Sequence, residues 1–115
     1  MDTKIIASPI SKEELRAIAK KQFGCFAKSV VDVGKNIMAV GGQWHADAAA
    51  VLITAGSEKA DLWGVNLYPD MTGDAWIQFN SMINVCPERG NHTRGVENQD
   101  MRERIRGVVK QWVRD

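Results

Sequence analysis

Between Val30 and Val40 two short apolar runs, Val30-Val31-Asp32-Val33 and Ile37-Met38-Ala39-Val40, flank Gly34-Lys35-Asn36. The β-branched residues suit strands and the three turn residues tolerate positive φ, so the segment predicts an antiparallel hairpin around which the rest must be arranged. Gly41-Gly42 then marks a bulge or bend where the chain leaves the sheet. A second strand pair follows. Leu62–Tyr68 alternates Trp63, Val65 and Leu67 against Leu62, Gly64 and Asn66, and turn residues lead into Trp76–Val85. There Ile77, Phe79, Ser81, Ile83 and Val85 share one face, which predicts a long strand.

Three helices are expected beside these strands. Ser11 with Glu14 forms a capping box, Ile10 can staple onto Leu15, and Leu15, Ile18, Ala19, Gln22 and Phe23 trace one face up to Gly24. Asp47 is read as the N-cap of a short helix over Ala48–Ile53 that stops at Gly56. Being apolar all round, that helix should be buried on more than one face. Asn98 caps a last helix running to about Val113, with Met101, Ile105, Val108, Val109 and Trp112 in one stripe. The order α-β-β-α-β-β-α predicts an α+β fold: two layers, a four-stranded, mostly antiparallel sheet with helices packed on one face.

The 115 residues, with no repeat, linker or low-complexity tract, are expected to form a single domain over 1–115. A net charge of +1 supplies no field that would draw the chain to nucleic acid or anionic lipid, although basic residues concentrate in the two terminal helices and acidic ones in the middle. Long apolar runs are absent, and Lys and Glu interrupt residues 1–30, so neither a membrane span nor a signal peptide is expected and the cytoplasm is the expected location. Cys25 and Cys86 form no C-x-x-C pair, and His45 and His92 are far apart, so zinc-site spacing is missing and no metal or cofactor is expected. A metal site would need His45, Asp47, Cys86 and His92 to be assembled from a distance.

The strings PISKEEL (9–15), VVDV (30–33), GGQWHAD (41–47), DLWGVNLYP (61–69) and SMINVCPERGNHTRGVE (81–97) resemble a family of small uncharacterised prokaryotic proteins, a domain of unknown function, over nearly the whole chain. The resemblance implies one domain with a polar segment around 81–95 and supplies no activity. That family reads INxRP where this chain has Ile83-Asn84-Val85-Cys86-Pro87, so a cysteine stands where the resemblance implies a basic residue.

Asn84, Arg89, Asn91, His92 and Arg94 form the candidate ligand-binding cluster, on a glycine-containing loop before the N-terminus of the last helix. Arginines pair with phosphate or carboxylate, and a helix N-terminus adds free N–H groups, so the loop suits an anion. The bland alternative is that Arg89 and Arg94 ion-pair with Glu88, Glu97 or Asp100. His45, oriented by Asp47, and His92 are the weaker acid–base candidates for a small hydrolytic enzyme, with an arginine stabilising negative charge. Asn66, Tyr68, Asn80 and Asn84 could line a pocket floor or satisfy loop backbone. Trp63 and Trp112 read as core. Trp44 and Trp76 read as an exposed stacking or subunit surface, hence the expectation of a homodimer. The leading expectation is a binding domain for an anionic small molecule.

Overall fold

The computed structural model describes residues 2–115. Its main sheet is antiparallel throughout, with strands β1 (Thr3–Ile6), β3 (Ala27–Asp32), β4 (Ile37–Gly41), β5 (Leu62–Leu67) and β6 (Ile77–Gln78) in the order β1-β4-β3-β5-β6. A small parallel pair joins β2 (Ile10–Ser11) to β7 (Val113–Arg114), tying the start of helix α1 (Lys12–Lys20) to the end of helix α3 (Gln99–Trp112). Helix α2 (His45–Thr54) lies between β4 and β5 in the chain.

The hairpin forms where its residues predict. Asp32 Oδ1 accepts the N–H groups of Gly34 and Lys35, both at 2.9 Å, and Asn36 takes φ 58°. The other oxygen of this fully buried carboxylate accepts Ser57 Oγ at 2.6 Å, so the cost of burying it is offset by donors. The capping box of α1 is also present: Ser11 Oγ accepts the Glu14 N–H at 3.0 Å and Glu14 Oε1 accepts the Ser11 N–H at 3.5 Å. Asn98 caps α3 through the Met101 N–H at 2.9 Å.

Five expectations need correction. The sheet has five strands, not four, because Thr3–Ile6 pairs with β4 as an edge strand. Four residues are too few to display a period, and the register comes from β4. The long strand expected over Trp76–Val85 shrinks to Ile77–Gln78. Beyond Gln78 the chain leaves the sheet, and the Ser81 N–H bonds Arg94 O at 3.0 Å while Ser81 Oγ caps a 3-10 turn over Met82–Asn84.

Helices also cover both faces, so the two-layer arrangement becomes three layers. Leu15 and Ala19 of α1 and Ile105, Val108 and Val109 of α3 pack with Val31, Met38, Val40, Trp63, Val65 and Leu67. On the opposite face Ala48 and Leu52 of α2 pack with Val30, Ala39 and Leu62. Strand alternation sends neighbours such as Val30 and Val31 to different cores. Finally, α2 starts at His45, three residues before the expected Ala48. Asp47 serves the cap from inside the first turn, its carboxylate accepting the Trp44 N–H at 3.0 Å. The outer side of α2 stays uncovered, with Ile53 exposed, rather than being buried on several faces.

Among the described residues, no helix is long and apolar enough to cross a membrane.

Candidate functional site

The predicted polar loop is folded largely onto itself. Asn84 is fully buried: its Oδ1 accepts the Gly64 N–H at 2.8 Å, and its Nδ2 donates to Gly64 O at 3.0 Å and Arg94 O at 2.9 Å. Buried Asn91 donates to the carbonyls of Asn84, Thr93 and Gly95 at 2.8–3.0 Å and accepts the Glu97 N–H at 2.9 Å. The guanidinium carbon of Arg89 stands over the Trp63 ring, 3.7 Å from its centre, and the group donates to the carbonyls of Ala60, Leu62 and Ile83. Their polar atoms therefore hold the loop against β5. His92 is exposed, and its main-chain N–H donates to the Glu97 carboxylate. Arg89 borders one depression, beside Ile53, Leu62 and Val85, and Arg94, with Nε 3.0 Å from Met82 Sδ, lines another cavity.

That cavity, about 440 Å³, lies on the α2 face of the sheet. Its floor holds Lys28 and Asn66, direct partners across β3 and β5. Trp44, His45 and Ala46 from the start of α2 form one wall, and Asn80–Ile83 with Arg94 form the other. The walls close over Gly64, where an added Cβ would stand 2.5 Å from Ser81 Cβ and Oγ and 3.1 Å from His45 Cδ2. The helix N-terminus beside Arg94 is thus that of α2 rather than α3, which contributes nothing to the lining. Among the described residues neither Lys28 nor Arg94 is ion-paired with a carboxylate. The expected pairing of Arg89 and Arg94 with Glu88, Glu97 or Asp100 is not formed.

Asn66 is 6% exposed, and its Nδ2 donates to Gln78 Oε1 at 3.0 Å and Asn80 O at 3.3 Å. A main-chain carbonyl can only accept, which fixes the orientation of the amide.

His45 is buried, with Nε2 2.9 Å from Val65 O. Burial pushes its pKa below the ordinary 6.5, Lys28 pushes the same way, and the Val65 carbonyl and the Asn66 side chain oppose both. The ring is held neutral, donating through Nε2. Asp47 is engaged at Trp44 and does not orient it. The unfolded chain takes up this proton at a higher pH than the folded one, so stability should be full above about pH 7 and fall as pH drops through 6.5 toward the folded pKa. Urea midpoints at pH 7.5, 6.5 and 5.5 are expected to decline for the natural chain and for His92→Gln, and to decline less for His45→Gln. An equal decline in all three would contradict this role.

The remaining candidates are dispersed. Among the described residues no three His, Cys, Asp or Glu side chains gather where they could hold a metal ion, so His45, Asp47, Cys86 and His92 are not brought together. Trp63 is buried and Trp112 half-buried, its Nε1 donating to Asn36 O at 2.8 Å. Trp76 is core too, with Lys12 Nζ 4.6 Å from its ring centre. The expected aromatic surface reduces to Trp44, 63% exposed at the cavity mouth.

A family model described as a protein of unknown function, DUF5674, matches residues 4–112. The chain belongs to that family. No curated protein and no solved structure matches this DUF5674 chain. Sequence reading placed Arg94 and Asn66 among the candidates for its site but missed Lys28, which lies before the run at Val30 that predicts the strand and is set beside Asn66 by the register of β3 on β5.

Proposed function

We propose that this DUF5674 chain is a small binding domain whose cavity between Lys28 and Arg94 takes an anionic small molecule. The observation that carries this is two cations without carboxylate partners flanking the first turn of α2. The positive end of a ten-residue helix adds to their attraction for an anion, and guanidinium and ammonium groups give charge-assisted hydrogen bonds to phosphate or carboxylate oxygens. Of the loop residues expected to bind, Arg94 carries the ligand contact, while Asn84, Arg89 and Asn91 hold it in place. His92 stands apart from the cavity lining.

Binding is favoured over hydrolysis by the histidines. His45 is tied to Val65 O through Nε2, and its expected carboxylate partner faces Trp44. A reducing, cytoplasmic setting suits the free thiols Cys25 and Cys86.

Calorimetric titration with inorganic phosphate tests the reading. Arg94→Ala is expected to weaken binding at least tenfold. The melting temperature should stay within about 2 °C, since exposed substitutions rarely exceed 0.5 kcal/mol. Equal affinity in the variant, or no phosphate binding by the natural chain, would refute it.

A further inference from the structure

Helix α2 has a second apolar side that the fold leaves bare. Ala48 and Leu52 pack on the sheet. Ala46, Ala49, Ala50 and Ile53, at i, i+3, i+4 and i+7, instead line a groove of about 920 Å³ that Met82 and Val85 also border. We infer that a second copy of this chain docks in the groove, through a two-fold interface between the outer sides of the two α2 helices. Ala49, Ala50, Ile53 and Val85 line this groove and not the anion cavity, so the two sites stand or fall separately.

Three observations favour a copy over another partner. Among the described residues five large apolar side chains are exposed. Four of them belong to this side: Ile53, Met82 and Val85 in the groove and Trp44 at the N-cap of α2, between 39% and 63% exposed. Bare apolar groups gathered on one side mark an interaction surface. That side also offers room over its alanines to receive such groups, and a two-fold contact requires a patch complementary to itself. The free charges are balanced in the same sense. Lys59 and Glu88 line the groove with opposite signs, and neither is ion-paired among the described residues. Arg89 is already engaged by the carbonyls of Ala60, Leu62 and Ile83. A two-fold axis sets Lys59 of each copy against Glu88 of the other, whereas a partner with an excess of either sign would leave one of them facing its like. Finally, a net charge of +1 puts almost no repulsion between two copies.

Sedimentation velocity of the full chain over about 1–300 μM provides the test. The natural chain is expected to pass from monomer to a species of twice its mass as concentration rises. Ala50→Glu sets an unpaired charge in the middle of the contact and should weaken association at least tenfold. Ala50 is exposed and glutamate is a good helix former, so the variant keeps its fold, which its melting temperature verifies. Met71→Glu, at the one exposed apolar group away from the groove, should leave association unchanged. Lys59→Glu and Glu88→Lys should each weaken it about tenfold, because like charges then face each other. An equimolar mixture of these two variants should associate as tightly as the natural chain, since opposite charges meet again across the axis.

A monomer at every concentration would overturn the proposed dimer. So would a dimer that Ala50→Glu leaves intact, which would place the contact on another surface. A mixture no tighter than its two components would overturn the pairing of Lys59 with Glu88 across a two-fold axis.

Discussion

Asn84→Ala is expected to lower the melting temperature by about 12 °C, corresponding to roughly 3 kcal/mol at about 4 °C per kcal/mol for a domain of this size. The side chain is fully buried, and its three hydrogen bonds reach both main-chain groups of Gly64 and the carbonyl of Arg94. Alanine leaves the Gly64 N–H and C=O without these partners, and each unsatisfied buried group costs about 1–3 kcal/mol. It also frees the carbonyl that sets the base of Arg94, so phosphate binding should weaken alongside stability. Asn84→Asp keeps the acceptor for Gly64 N–H but loses both donors, and should be destabilised as well. Scanning calorimetry checks the series. A fall of less than about 4 °C for the alanine variant would mean that the 80–94 segment is held by other contacts.

Gly64→Ala should cost about 2 kcal/mol, within the usual range for overpacking a closed core site. The new methyl would meet Ser81 Cβ and Oγ at 2.5 Å. Ser81 cannot swing aside easily, because its N–H is tied to Arg94 O at 3.0 Å, so the 81–84 turn must shift as a unit. The cavity wall moves with it, and ligand affinity should drop together with the melting temperature. Gly107 in α3 provides the contrast. A methyl there meets nothing within 4 Å, and alanine in a helix interior is better than glycine by up to about 1 kcal/mol. Chemical denaturation should therefore move the two variants in opposite directions. Neutral behaviour of Gly64→Ala would show that strand β5 and the 81–84 turn approach less closely than described.

Features governed by neighbours in sequence were legible before the structure. The Gly34-Lys35-Asn36 turn, the Ser11–Glu14 capping box and the Asn98 cap each depend on residues two to four positions apart. Features governed by distant partners were not. The alternation from Ile77 to Val85 is a genuine strand pattern, yet the chain turns away because Asn84 finds Gly64, twenty positions earlier. Alternation cannot register that competition. The division of the helices between two faces escaped for a similar reason: an amphipathic stripe states that a face is covered, not which side of the sheet covers it.

The site was partly visible on the same terms. An arginine-bearing glycine loop was readable, and Arg94 is the member that faces the cavity. Asn84, Asn91 and Arg89 carry side chains equally suited to a ligand or to main-chain carbonyls. Only the fold decides between these partners, and here the carbonyls of residues 60–64 and 83–95 take them. Lys28 and Asn66 become a pair only through strand register.

The most direct test of an anion site at the start of α2 is an amide-resolved NMR titration with inorganic phosphate. The expected result is saturable shifts at His45, Ala46, Asn66, Ser81 and Arg94, which line the cavity with Lys28, and none at Gln99–Met101. Shifts centred on the first turn of α3, or no saturable shift at any residue, would contradict it.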